Sequence, residues 1–239
     1  MSQNTQRGSA IVLLLIAVAL FAAVAYAFTQ GSRTNTSMIT DEQAKAYAQQ
    51  IIDFANDVKM GVKRIQLRGY TDTQIAYDNT VYKLGDGTSL SYPNANCTSS
   101  ACQIFNTAGG GVSPIALMGG TNVGIDGTVA TGAGAAGGQV RLRSIGVMGV
   151  GTAAPELVLQ VLSVSGAVCK KINTLLGIGP SADYIPPMDT FDSISYAGSY
   201  GTVTDYLGDT ATILQGKTAF CALANGGNGY HFNAVMIAR

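Results

Sequence analysis

Charge is scarce in this chain: 14 Lys and Arg stand against 14 Asp and Glu in 239 residues, for a formal net charge of zero. Nothing in that balance suggests the basic face a nucleic-acid footprint requires, so no nucleic-acid partner is expected. Tryptophan is absent, and histidine occurs once, as His231 between Tyr230 and Phe232. A Ser-His-Asp triad would have to be built on that single imidazole, and no nucleophile-elbow pattern accompanies it. A strand histidine facing solvent or a tyrosine is the expectation. With candidate acids and bases few and scattered, the sequence predicts a protein that is not an enzyme and needs no cofactor.

Cysteine is sparse but even in number: Cys97, Cys102, Cys169 and Cys221. A Cys-x4-Cys pair with two remote cysteines matches paired zinc knuckles poorly, so no metal is expected. Disulfides remain, with three possible connectivities. Joining the sequence-local Cys97 and Cys102 leaves Cys169 for Cys221. On the chain-entropy view the long loop contributes about 4 kcal/mol and the short one about 2 kcal/mol. Glycine, by contrast, is abundant at 30 residues. Small, weakly charged exteriors suit close subunit packing, and they suit many secreted proteins as well.

The chain also holds one long run without charge, Ser9 to Phe28 (SAIVLLLIAVALFAAVAYAF), directly behind Gln6-Arg7-Gly8. At about 1.5 Å per helical residue it spans roughly 30 Å, the hydrocarbon thickness of a bilayer. Arg7, the single charge before it, favours the cytoplasmic side, so the long C-terminal part is expected outside. Three uses of the run compete. A plain signal anchor would tether a domain. A cleaved signal peptide would use the small-x-small site Ala25-Tyr26-Ala27, although the apolar region exceeds the usual 7–15 residues.

The third is a prepilin. Arg7-Gly8 followed without a spacer by a long apolar helix resembles the leader of the type IV pilin and type II secretion pseudopilin superfamily. The resemblance implies cleavage after Gly8 by a prepilin peptidase, with Ser9 as the new N-terminus. It implies a filament-core helix that includes Ile11, Leu13, Leu14, Ile16 and Phe21. It implies partners that are other pilin-like subunits, and residence in a bacterial inner membrane before assembly into a periplasmic or extracellular filament. One position departs from the family: the usual glutamate five residues into the mature chain is Leu13. That carboxylate offsets the cost of a neighbour's charged amine in hydrocarbon. A subunit lacking it is similar to the minor subunits at a filament tip, which have no subunit ahead of them; a divergent filament is the alternative.

The rest of the chain is expected to divide into a leader over 1–8, the apolar helix over 9–31, an amphipathic helix over 32–69 and an exported head over 70–239. The amphipathic helix has the clearest signals. Thr40-Asp41-Glu42-Gln43 has capping-box form, and Gly69 is a suitable stop. Ala44, Ala48, Ile51, Ala55, Val58, Val62 and Ile65 make one apolar stripe. Acidic residues open the helix, and Lys63, Arg64 and Arg68 close it, matching its dipole.

Beyond Tyr70 the period changes to β-rich runs at Thr80–Leu84, Val123–Ala130, Gln139–Val150 and Glu156–Leu162. A short helix is predicted over Gly166–Leu176, between Ser165 as N-cap and Gly177 as stop. Thr218–Ala224 and Tyr230–Ala238 read as a hairpin around Asn225–Gly229. Val168-Cys169-Lys-Lys-Ile-Asn with a partner cysteine in a late strand is similar to the C-terminal region of type IVb pilins. The fold class is therefore α+β: a long N-terminal helix, half membrane-spanning and half amphipathic, packed on an antiparallel sheet with a second short helix.

Gly132-Ala-Gly134-Ala-Ala-Gly137 has the letters of a dinucleotide loop without the strand before and helix after that it needs, and reads as a connector. Asp183, Asp189, Asp192, Asp205 and Asp209 lack EF-hand spacing and read as solvated loop carboxylates. Tyr184, Phe191, Tyr196, Tyr200 and Tyr206 are consistent with either a recognition surface or a loop pinned to a sheet. In the first case the protein would be a secreted or tethered adhesion domain.

Overall fold

The computed structural model describes Leu14, residues 16–20, 40–77, 93–114, 140–187, 189–223 and 229–239. The chain divides into two compact units, Met1–Met38 and Ile39–Arg239. In the first unit Leu14 and residues 16–20 are helical. The expected strands Thr80–Leu84 and Val123–Ala130 and the Gly132–Gly137 connector lie outside the described residues.

The second unit opens with helix α1, Asp41–Leu67. Thr40, at φ −63° and ψ 160°, is an extended N-cap, and the capping box closes in both directions: Thr40 Oγ1 accepts from Gln43 N at 3.3 Å, and Thr40 N donates to Gln43 Oε1 at 3.1 Å. Thr40 thus stands just outside the helix as the expected N-cap, because a cap satisfies the first amides only by leaving helical geometry. Every residue of the expected stripe is buried, joined by Phe54 and Gly61.

Strands β1 (Val140–Ile145), β2 (Glu156–Val164), β3 (Ser193–Ser195), β4 (Ala219–Leu223) and β5 (Tyr230–Ile237) form one antiparallel sheet in the order β3-β1-β2-β5-β4. The expected strand Gln139–Val150 ends early, at Ile145. There the chain turns off the sheet: Leu207 N donates to Gly146 O and Met148 N to Leu207 O, at 2.9 and 2.8 Å. Gly149 and Gly151, at φ +76° and +63°, complete the turn into β2. Strand β3 comes from the Tyr- and Gly-rich loop region, and its pairing with β1 is decided by tertiary contact rather than local period. Helix α2, Gly166–Leu176, has Ser165 as N-cap and Gly177 in left-handed conformation at its end, as the sequence predicts.

Both sheet faces are covered. Leu142, Leu157, Leu159, Val161, Phe232 and Ala234 face the layer of α1 and α2. Alternate residues face the other way: Ile145, Val158, Phe220, Ala222 and Val235 pack under Phe191, just before β3, and under Leu207, Ala211 and Leu214 of the long β3–β4 connection. The period of two along each strand places these sets on opposite sides. A sheet covered on both faces explains why β2 reads as a nearly continuous apolar run.

Candidate interaction surface

The second unit exposes the polar side of α1, including Gln49, Asp53, Asn56, Asp57 and Lys63. Two apolar side chains stand among them, Met60 at 49% and Leu67 at 87% exposure. In the first unit Leu14, Ile16, Val18 and Leu20 are each more than half exposed. Leu14 and Ile16 are helical, whereas Gly8, Ser9, Ile11, Leu13 and Phe21 lie outside the described residues. Among the described residues no helix is long and apolar enough to cross a membrane.

Both ends of α1 are tied to the rest of the second unit. At the start, Lys171 of α2 bridges Asp41 at 2.7 Å and Asp183 at 3.1 Å, and these carboxylates push its ammonium above its ordinary pKa. At the finish, Arg64 donates to Gly110 O at 2.8 Å, and Arg68 to the carbonyls of Ala108 and Gly109. Gly61 lets this segment approach: a Cβ there would lie 2.5 Å from Val112 Cγ2.

Two disulfides pin the same framework. Cys97 joins Cys102, and Cys169 of α2 joins Cys221 of β4. Asn173, one turn beyond Cys169, repeats the second link with hydrogen bonds: its amide donates to Cys221 O at 2.8 Å and accepts from Cys221 N at 2.9 Å. The pairing is the one taken from the sequence.

Of the loop carboxylates, Asp183, Asp205 and Asp209 are exposed as expected, and Asp189 is the exception. Asp189 is 1% exposed and accepts from Gly208 N and Ala211 N at 2.6 and 3.2 Å. A turn at that depth must satisfy its amides internally. Asp192 accepts from Thr204 N, its hydroxyl and Asp205 N, and the Thr204 amide and hydroxyl lead in holding its pKa down. Asp209 is also held down, chiefly by hydrogen bonding with Asp189. These groups staple loops. Among the described residues no group of three or more His, Cys, Asp or Glu side chains stands ready for a metal ion.

The aromatics are pinned inward too. Phe191 and Tyr196 are buried, Tyr206 donates to Ala153 O at 2.8 Å, and Tyr200 packs edge-on to Tyr196 with centroids 5.3 Å apart. Arg239 lies 3.8 Å over the Tyr200 ring and pairs with Asp72 at 3.2 Å.

His231 lies on strand β5, as expected, and is half-buried; burial first, then Arg141 and Arg143, push its pKa down to about 4. Arg141 heads a polar ladder across the sheet: its Nη2 donates to Gln160 Oε1 at 2.8 Å, and Gln160 Nε2 donates to Asn233 Oδ1 at 2.9 Å.

One group escaped the sequence reading. Glu156 is fully buried at the start of β2, with Oε2 accepting from Val147 N at 2.8 Å and Oε1 without a hydrogen-bond partner among the described residues. Desolvation raises its pKa to about 7, against smaller opposing effects of backbone hydrogen bonds and Arg239. A lone acid opening the apolar run Glu-Leu-Val-Leu was the available signal. No protein-family model, curated protein or solved structure matches the chain.

Proposed function

We propose that this chain is a structural, non-enzymatic subunit of a type IV pilus-like or type II secretion pseudopilus filament, made as a prepilin. One observation carries the reading: an uncharged run of twenty residues, Ser9–Phe28, directly behind Arg7-Gly8. The amphipathic α1 on an antiparallel sheet, with α2 locked to a late strand by Cys169–Cys221, is compatible with the head of such a subunit. On this reading the apolar helix holds the subunit in the inner membrane and then passes into a bundle of like helices, exchanging lipid contacts for side-chain packing. The carboxylate missing at Leu13 favours a minor or tip subunit.

The N-terminus of the mature protein tests the reading. Ser9 is the expected first residue, and Gly8→Glu should leave the full-length chain in the membrane. Phe28 as first residue would transfer the case to a secreted binding domain, and an uncut Met1 in the wild type to a tethered one.

A further inference from the structure

The sheet face beneath the β3–β4 connection is apolar around Ile145, Val158 and Val235 and polar beyond them. Register sets the polar side chains side by side. Arg143 lies opposite Val158 and Ser195, Arg141 opposite Gln160, Gln160 opposite Asn233, and His231 opposite Ala222. Arg141 and Arg143 stand two residues apart on β1, about 7 Å between Cα atoms, so they share this face. Both are half-buried, as is His231, and both act electrostatically on its imidazole. Like charges side by side on one face repel, and partial burial strengthens the repulsion.

Hydrogen bonds hold the patch in place. Arg141 grips Gln160 Oε1 with two nitrogens, Nε at 3.0 Å and Nη2 at 2.8 Å. Gln160 and Asn233 are fully buried, and Gln160 Nε2 donates to Asn233 Oδ1 at 2.9 Å. Asn233 Nδ2 donates onward to His231 O at 3.3 Å. Arg143 Nη1 donates to Ser195 Oγ. The acceptors Gln160 Oε1 and Ser195 Oγ are neutral, so they orient the two guanidiniums without cancelling their charge. A guanidinium has several N–H donors and can hold such an acceptor and an anion at once.

We propose that Arg141, Arg143 and His231 form an oxyanion site on this sheet face, which takes a tetrahedral phosphate or sulfate group between the two guanidiniums. Each guanidinium fork matches a pair of oxygens, and forks two residues apart reach one such group from two sides. The neutral imidazole of His231 adds one N–H. Gln160 and Asn233, buried beneath, fix Arg141 in advance, which lowers the cost of ordering it around a ligand. Half-burial also limits screening by salt. The inference concerns the second unit alone and stands apart from the filament reading.

His231 is the only histidine in the chain, so it gives a single imidazole signal in NMR. The full-length protein is isotope-labelled at histidine, purified without a histidine tag and held in a non-ionic detergent. With its pKa at about 4, the imidazole is mostly neutral at about pH 5. An oxyanion beside it favours the protonated form and moves the signal towards imidazolium. Sodium sulfate is titrated against sodium chloride at equal ionic strength, with glycerol phosphate in a parallel arm. A saturating shift with sulfate, absent with chloride, is the expected result, and R141Q/R143Q should weaken it at least about tenfold. R141K/R143K keeps the charge without the fork, and its affinity should fall between the two. Saturation by sulfate assigns the site to a free oxyanion, and saturation by the ester alone to a phosphate group carried on a larger molecule; either upholds the site. A shift that follows ionic strength alone in every salt overturns the proposal, and so does saturation unchanged in R141Q/R143Q. The wild-type titration decides even where a variant fails to fold.

Discussion

A carboxyl group without solvent and with one oxygen unpartnered among the described residues, such as Glu156, holds its proton far above the usual range. Its folded pKa of about 7 exceeds its ordinary 4.5, so between those values the folded chain keeps a proton the unfolded chain has lost. Stability from this group is therefore complete below about pH 4.5 and declines as pH rises to about 7, by on the order of 2–3 kcal/mol. Glu156→Gln should flatten that slope. Urea unfolding of wild type and variant at a series of pH values measures it, and parallel curves would reject the assignment. His231 acts with opposite sign, since its pKa is lowered to about 4: its contribution is lost as pH falls from 6.5 to 4. The comparison with the variant cancels that effect.

At the scale of elements, α2 is held to β4 twice, by Cys169–Cys221 and by the Asn173 hydrogen bonds. Replacing Cys169 and Cys221 together by Ala should cost about 4 kcal/mol by loop closure, and replacing Cys97 and Cys102 about 2 kcal/mol. Denaturant midpoints of the two double variants against the oxidised wild type decide the order. Equal losses would mean that the unfolded chain is not constrained as loop length requires. Helix α1 has its own test at Gly61. Glycine inside a helix costs about 1 kcal/mol relative to Ala, so its presence reflects the close approach of Val112 and Gly110. Gly61→Leu should destabilise the head by about 1–3 kcal/mol through overpacking. An unchanged melting temperature would show that the 108–112 segment can move aside.

For the whole molecule, position within a filament turns on Leu13. A tip subunit has no amine ahead of it to neutralise and should occur in few copies. Leu13→Glu should then bring no gain, because an unpaired carboxylate in an apolar bundle costs several kcal/mol or takes up a proton. Gold labelling through a tag on the head, followed by imaging, counts the copies. Label along the shaft would end the tip assignment and leave the subunit assignment standing.

Local chemistry by itself determined the parts whose reasons are local. The Thr40 capping box, the stripe from Ala44 to Ile65, the Ser165 and Gly177 bounds of α2 and the β4–β5 hairpin are each specified within a few residues, by cap, period and turn. Even counting and proximity reached the cysteine pairing. Tertiary structure decided what depends on residues far apart. It chose β3 from a loop, ended β1 at Ile145 where Leu207 bonds to the turn, and buried Asp189 and Glu156. It also set Arg239 between Asp72 and Tyr200. No short window of sequence contains both partners of those contacts. Burial of a carboxylate is a property of everything packed around it, and only the assembled sheet with both faces covered supplies that.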